Sequence, residues 1–152
     1  MMTTSQIITK YGEPGPENQV LMPLPYPMVI AWDKAKTTSR MQCHKLLVPN
    51  FTRVFTQILE KYGLDNIRAL GIDLFGGSYN FRKMRGGNEW SRHSWGIAID
   101  LDPERNPLKA SKKTAQFAKP SYKPMIEIFY ANGFIGLGPE KDYDWMHFEA
   151  RS

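Results

Sequence analysis

Apolar residues recur with helical spacing in two segments of the chain, residues 46–62 and residues 122–132. In the first segment Pro49 lies within the first turn, where its missing N–H is tolerated, and Gly63 follows as a stop signal. The second segment ends before Gly133. Both patterns predict amphipathic helices that turn one face toward a core.

Short apolar or alternating runs predict strands at residues 28–32, 67–75, 97–101 and 145–150. Gly76 and Gly77 interrupt the second run, after which residues 78–82 predict a further extended path. A Gly- and Pro-containing turn is expected over residues 136–139. Because helices and strands do not alternate regularly, we expect an α+β fold in which helices flank a small antiparallel sheet.

The length of 152 residues suits a single domain with one core, so we expect one catalytic domain over residues 1–152. Residues 1–27 contain many Pro and Gly residues and predict an irregular lead-in that wraps this domain. The most apolar stretch, residues 20–32, is broken by prolines at Pro23, Pro25 and Pro27. We therefore expect no stable membrane insertion, and we expect a monomer.

The composition is that of an ordinary globular protein, with 41% hydrophobic and 23% charged residues. The single cysteine, Cys43, excludes an internal disulfide and a cysteine-based metal cluster, so any metal must be held by His and carboxylates. A formal charge of +5 favours polyanionic partners in general. No recognition motif accompanies this charge, so we expect no nucleic-acid partner.

Asp100 is the first residue whose position suggests chemistry. If residues 97–101 form a strand, Asp100 projects from the face opposite its apolar neighbours. A carboxylate in the middle of a strand costs free energy unless a cation compensates it, and a bound metal would do so. His93 reaches the same place only if the turn at Gly96 folds it back.

His147 is the second such residue. On the last strand it shares a face with Glu149, while Asp144 comes from the turn before that strand. Two neutral imidazoles and one carboxylate suit zinc and leave the fourth position to water, as in catalytic sites. A further carboxylate can accept the proton of that water. With three histidines in the chain, spacing alone does not distinguish a ligand from a packed histidine.

A family resemblance adds to this interpretation. The zinc D-alanyl-D-alanine peptidases include D-Ala-D-Ala dipeptidases and carboxypeptidases and the phage L-alanyl-D-glutamate endolysins. Three motifs of the chain resemble their signature: Ser91-x-His93, Gly96-x-Ala98-x-Asp100 and Asp144-x-x-His147-Phe148. The resemblance implies a zinc cofactor held by His93, Asp100 and His147, on a sheet of the Hedgehog and D,D-peptidase kind.

The resemblance also implies the catalytic groups. Asp144 takes the place of the general base, where the dipeptidases have Glu and the endolysin branch has Asp. This difference favours an endopeptidase. An Arg near the scissile carbonyl stabilises the oxyanion in this family; Arg82, which follows Phe81, fits that pattern, and Arg85 is the alternative.

Four other residues are weaker candidates. Ser91 and Trp95 are candidates for substrate contact, with support of a site residue left open for Ser91 and core or rim packing left open for Trp95. Glu149 is interpreted as a solvated residue, with a role beside His147 or as an alternative base left open. His44 is interpreted as a structural or surface histidine.

These expectations define a zinc metallopeptidase that acts on the stem peptides of bacterial peptidoglycan, of the L-alanyl-D-glutamate endolysin type. A D,D-carboxypeptidase or dipeptidase is the alternative within the same chemistry, and a catalytically silent wall-binding or virion structural module is the alternative outside it. Residues 1–17 lack the features of a secretory signal. We therefore expect the protein in the bacterial host cytoplasm before lysis and at the cell wall after release.

Overall fold

The computed structural model describes all of residues 1–152 and contains five α-helices and one six-stranded sheet. The helices are α1 (Thr4–Tyr11), α2 (Val48–Tyr62), α3 (Leu64–Leu70), α4 (Lys123–Ala131) and α5 (Leu137–Lys141). The strands are β1 (Gln19–Ile30), β2 (Thr37–His44), β3 (Leu74–Gly77), β4 (Ala98–Leu101), β5 (Phe134–Gly136) and β6 (His147–Ala150). None of these helices combines the length and the apolar character needed to cross a membrane.

The strands are arranged in the order β2-β1-β3-β4-β6-β5. All neighbours pair antiparallel except β1 and β3, which are parallel. The α+β class is therefore confirmed, but the sheet is mixed and not antiparallel as expected. The physical reason is the connection: α2 and α3 lie between β2 and β3, so no tight turn forces β3 to run against its neighbour.

The apolar core lies between the helices and one face of the sheet. Phe51 of α2 packs against Phe134 of β5 with ring centroids 4.7 Å apart, and Phe129 of α4 stacks on Phe148 of β6 at 4.1 Å. Ile99 of β4 is paired with Phe148 and is fully buried. Because side chains alternate along a strand, the residues on either side of Ile99 and Phe148 face the other side of the sheet.

The predicted helices over residues 46–62 and 122–132 correspond to α2 and α4, and the predicted strands over residues 97–101 and 145–150 correspond to β4 and β6. Residues 67–75 differ from the expectation. They form the end of α3 and the start of β3, because Gly71 adopts a left-handed conformation and closes the helix. Residues 136–139, expected as a turn, contain the end of β5 and the start of α5.

Residues 1–27 are not the irregular lead-in that their composition suggested. Thr3 and Gln6 form a reciprocal capping box that starts α1. Most of β1 also falls in this range, and its pairing with β2 shifts register between Pro23 and Met28. The prolines of β1 cluster at this irregularity, where their missing N–H groups do not interrupt a regular ladder.

Gly96 makes the turn that brings His93 toward β4. It has φ +68°, its N–H donates to the His93 carbonyl at 3.1 Å, and its own carbonyl accepts from the His44 amide at 2.9 Å. A Cβ at this position would lie 2.7 Å from the His44 backbone nitrogen and would also collide with the Gln19 side chain. The turn therefore requires glycine for its conformation and for the space around it.

We predict that Gly96→Ala destabilises the protein more than Gly63→Ala. Both positions have positive φ, but nothing lies within 4 Å of a Cβ at Gly63. Gly63→Ala should therefore cost only the conformational strain, about 1–2 kcal/mol, whereas Gly96→Ala adds a backbone collision and should cost at least about 3 kcal/mol. Urea unfolding of both variants measures the difference. Equal losses of stability would contradict the tight packing around Gly96.

Candidate metal centre

Asp100 and His147 are direct neighbours across the antiparallel ladder between β4 and β6. Their side chains consequently project from the same face of the sheet, opposite the helical core. The Asp100 Oδ1 atom lies 3.1 Å from the His147 Nδ1 atom. The sheet itself thus brings a carboxylate and an imidazole together.

His93 completes the cluster from a short 3-10 helix, Arg92–Trp95. The Ser91 hydroxyl caps this helix by accepting from the His93 backbone N–H at 3.3 Å. The His93 Nε2 atom lies 3.2 Å from Asp100 Oδ2. One potential ligand atom from each of His93, Asp100 and His147 lies within 4.8 Å of the others.

The contacts around the two imidazoles turn a different nitrogen of each ring toward Asp100. His93 donates from Nδ1 to the Ser78 carbonyl at 3.0 Å, and His147 donates from Nε2 to Glu149 Oε1 at 2.9 Å. Because a carbonyl and a carboxylate only accept, these nitrogens carry the protons. The remaining nitrogens, Nε2 of His93 and Nδ1 of His147, are those that face Asp100.

The charges of the cluster favour a cation at its centre. Burial opposes ionisation of Asp100, but the neighbouring His93 and His147 hold the pKa of its carboxyl well below the usual range. Burial likewise opposes protonation of His147, yet its hydrogen bonds to Asp100 and Glu149 raise its pKa to about 10. Two imidazoles and one carboxylate match the three protein ligands of a catalytic zinc site. The residues therefore fit the zinc that the sequence implied.

Asp144 lies in the turn that leads into β6. Its backbone adopts φ +53°, its N–H donates to the Leu108 carbonyl at 2.9 Å, and its carbonyl accepts from the His147 N–H at 3.0 Å. Burial, together with the negative charges of Asp100 and Glu149, raises the pKa of its carboxyl, although His147 opposes the shift. Asp144 is outside the group of potential ligands but within its electrostatic field.

A cleft of about 70 Å³ opens beside the cluster and has no apolar side chain in its lining. His93 and Asp100 form one side of it, and Asn80 and Arg82 form another. The Arg82 backbone is held by Ser94, whose hydroxyl accepts from the Arg82 N–H at 3.0 Å. The structure therefore brings Arg82 to the cleft.

Arg85, the alternative to Arg82, lies in the exposed turn that follows and does not line the cleft. A wider cleft of about 410 Å³ lies elsewhere, between α1 and the last residues of the chain, with Lys10 and Arg151 in its lining. It contains no group of potential ligands. We therefore place the candidate site at the smaller cleft. It adjoins the group of potential metal ligands, whereas the larger cleft does not.

The two candidates for substrate contact, Trp95 and Ser91, are both buried. Trp95 is 1% exposed, and its indole N–H donates to the Gly12 carbonyl at 2.8 Å. Ser91 is also buried and its hydroxyl caps the helix that carries His93. Neither lines the cleft. Their motif positions are explained by the support they give to His93.

His44 has the structural role expected of it. Its Nε2 donates to the Tyr11 carbonyl at 2.7 Å, and its Nδ1 accepts from the Leu46 N–H at 3.1 Å. Three groups at the site were not assigned a firm role from sequence: the Ser78 carbonyl, Asn80 and Glu149. Of these three, only Glu149 could have been placed at the site from the sequence, because its spacing of two from His147 puts both side chains on one face of the strand.

The family model for D-alanyl-D-alanine carboxypeptidase matches residues 85–150 of the chain. The resemblance inferred from the motifs is thereby confirmed over the part that carries His93, Asp100, Asp144 and His147. Peptidases of this family depend on zinc, so the match supports an enzyme of the zinc peptidase class acting on peptidoglycan peptides. Arg82 lies outside the matched residues. A comparison with curated proteins gave no match.

Proposed function

We propose that this chain is a zinc peptidase that hydrolyses a peptide bond in the stem peptide of peptidoglycan, with His93, Asp100 and His147 as the metal ligands. The observation that carries the proposal is the convergence of these three side chains, with one nitrogen of each imidazole facing Asp100 and the other turned to a separate acceptor. The family match supports the same reaction class. The sheet that holds the cluster is proposed to be of the Hedgehog and D,D-peptidase kind.

Zinc, when bound, acts as a Lewis acid toward the scissile carbonyl and lowers the pKa of the attacking water. The chain itself supplies the proton transfer. Asp144 enters from the turn before β6, its carboxyl is partly desolvated, and its raised pKa brings it closer to the range in which a base also serves as an acid. Asp144 is therefore proposed to accept the proton of the water and to deliver it to the leaving amine.

Arg82 is proposed to stabilise the negative charge that develops on the carbonyl oxygen. Arg82 lines the cleft, and the one hydrogen bond of its side chain within the chain is from Nη1 to the Lys83 carbonyl at 3.3 Å. An Arg without a strong internal partner remains available to a substrate oxygen. Asn80, which shares the cleft lining, adds a second polar contact for the peptide.

The substrate is proposed to be the L-alanyl-D-glutamate bond, as in the endolysins. Asp at position 144 supports this assignment, and the net charge of +5 suits attraction to an acidic wall. A D,D-carboxypeptidase is the second candidate, because that is the activity in the description of the matching family. We propose that the protein reaches the wall from the cytoplasm of a bacterial host at lysis.

We predict that the protein binds about one zinc ion per chain and loses peptidase activity on chelation, with recovery when zinc is returned. His93→Ala, Asp100→Ala and His147→Ala should each lower zinc content and activity together. His44→Gln is the matched control, because His44 is the remaining histidine and lies outside the ligand group. Elemental analysis and turnover are measured on the same samples. Full activity after thorough zinc removal would refute the proposal.

We predict that Asp144→Asn retains zinc and fold but lowers turnover on the order of a hundredfold, because a positioned acid–base group is lost. Asp65→Asn, at an exposed position on α3, controls for the loss of a carboxylate elsewhere. Zinc analysis separates the possible roles of Asp144. A variant without zinc would make Asp144 a ligand, and wild-type turnover would remove it from catalysis.

We predict that digestion of purified muropeptides releases fragments with a new N-terminal D-glutamyl residue, as cleavage of the L-alanyl-D-glutamate bond requires. Mass spectrometry of the fragments identifies the bond. Release of terminal D-alanine would instead establish the carboxypeptidase. Zinc binding without any cleavage would favour the catalytically silent wall-binding or virion module.

A further inference from the structure

Glu149 is a buried carboxylate beside the proposed metal ligands. Its side chain is 4% exposed, and its Oε1 atom accepts from His147 Nε2 at 2.9 Å. Burial opposes its ionisation, but the hydrogen bond from His147 and the positive charge of Arg92 lower the pKa of its carboxyl. Neither Glu149 nor His147 lines the cleft, and Glu149 contacts the His147 nitrogen that is turned away from Asp100.

Arg92 is an ion-pair neighbour of Glu149, at a distance longer than a hydrogen bond. Its Nε atom lies 3.8 Å from Glu149 Oε2, and its Nη2 donates to the Met2 carbonyl at 2.8 Å. Only 14% of the Arg92 side chain is exposed. Arg92 directly precedes His93 in the 3-10 helix, whereas Glu149 is in the same strand as His147. The ion pair therefore connects the two elements that supply the imidazoles.

The position of the proton on His147 is contested by two carboxylates. A neutral imidazole carries one N–H, and Asp100 Oδ1 lies 3.1 Å from Nδ1, close enough to accept a proton held there. A proton on Nδ1 would block the nitrogen that faces the ligand group. Glu149, at 2.9 Å from Nε2, competes for the proton from the opposite side of the ring.

We propose that Glu149 is a positioning residue that keeps the proton of His147 on Nε2 and so leaves Nδ1 free to bind the metal, with Arg92 as the counter-ion of the Glu149 carboxylate. The Ser78 carbonyl does the same for His93 at the opposite nitrogen. This inference rests on the proposed function, because it concerns a ligand of the zinc. It assigns Glu149 to metal affinity and not to proton transfer with the substrate.

Glu149→Gln tests the proposal with little change in shape. An amide can donate as well as accept, so it no longer dictates which nitrogen carries the proton. Zinc affinity, measured by competition with a chromophoric chelator, should fall about 10- to 100-fold. Glu60→Gln removes the same charge from an exposed position on α2 and should leave the affinity unchanged.

Nitrogen-15 NMR of the imidazoles supplies a readout that a merely structural role would not alter. The chain has three histidines, so the spectrum of the zinc-loaded protein contains few signals to assign. In the wild type, the His147 Nε2–H should show the downfield proton of a hydrogen bond to a carboxylate. In Glu149→Gln this signal should move upfield, while the His93 Nδ1–H signal stays in place.

The outcomes separate this inference from the proposed function. Wild-type zinc affinity in Glu149→Gln would overturn the role of Glu149 and leave the ligand set intact. An equal loss in Glu60→Gln would also overturn it, because the effect would then be one of net charge. A wild-type protein without zinc affinity would refute the proposed function, and this inference with it. Because Gln matches Glu in size, circular dichroism of Glu149→Gln should show the wild-type fold. Arg92→Lys provides a second variant and is expected to lower zinc affinity less than Glu149→Gln does.

Discussion

The placement of Asp100 in the middle of the sheet is the constraint on which the rest of the site depends. Its side chain is only 18% exposed, and a carboxylate so placed must be compensated by positive charge. Two imidazoles flank it, one for each oxygen, at 3.2 and 3.1 Å. The resulting cluster binds positive charge in any state, whether as protons on the imidazoles or as a metal ion between all three side chains.

The support for this cluster comes from distant parts of the chain. The 3-10 helix that carries His93 is fixed from below by the N-terminal segment: the Trp95 indole donates to Gly12, and the Gly15 N–H donates to Ser94. Arg92 adds a contact to Met2. Residues before β1 therefore hold one of the proposed metal ligands in register with the two others from the sheet.

The sequence predicted the local parts of this arrangement well. The alternation of β4 and β6 placed Asp100 and His147 on strand faces opposite their apolar neighbours, and Gly96 correctly indicated the turn that returns His93. These are properties of short segments, in which side-chain direction follows from strand geometry. The family resemblance then selected the ligands from among the possible pairings, and the match over residues 85–150 confirms that resemblance.

Features that depend on contacts between residues far apart in the chain could not be predicted from the sequence in the same way. The parallel pairing of β1 with β3 depends on packing of the whole sheet, and so does the contact of the Trp95 indole with Gly12 in the N-terminal segment. Two other differences from the expected fold were marked by local motifs, but the composition of the surrounding residues suggested a different structure. Thr3 and Gln6 form a capping box within a Pro- and Gly-rich segment, and Gly71 ends a helix inside a run that alternates like a strand.

The position of β6 in the sheet has a consequence for how the protein is made. This strand follows all the others in sequence, yet it lies between β4 and β5. Until β6 leaves the ribosome, the β4 edge has no partner and Asp100 has only one of its two imidazoles nearby. The nascent chain therefore completes its sheet and its His93, Asp100 and His147 cluster in the same step, and an interrupted chain would present an open edge to its neighbours.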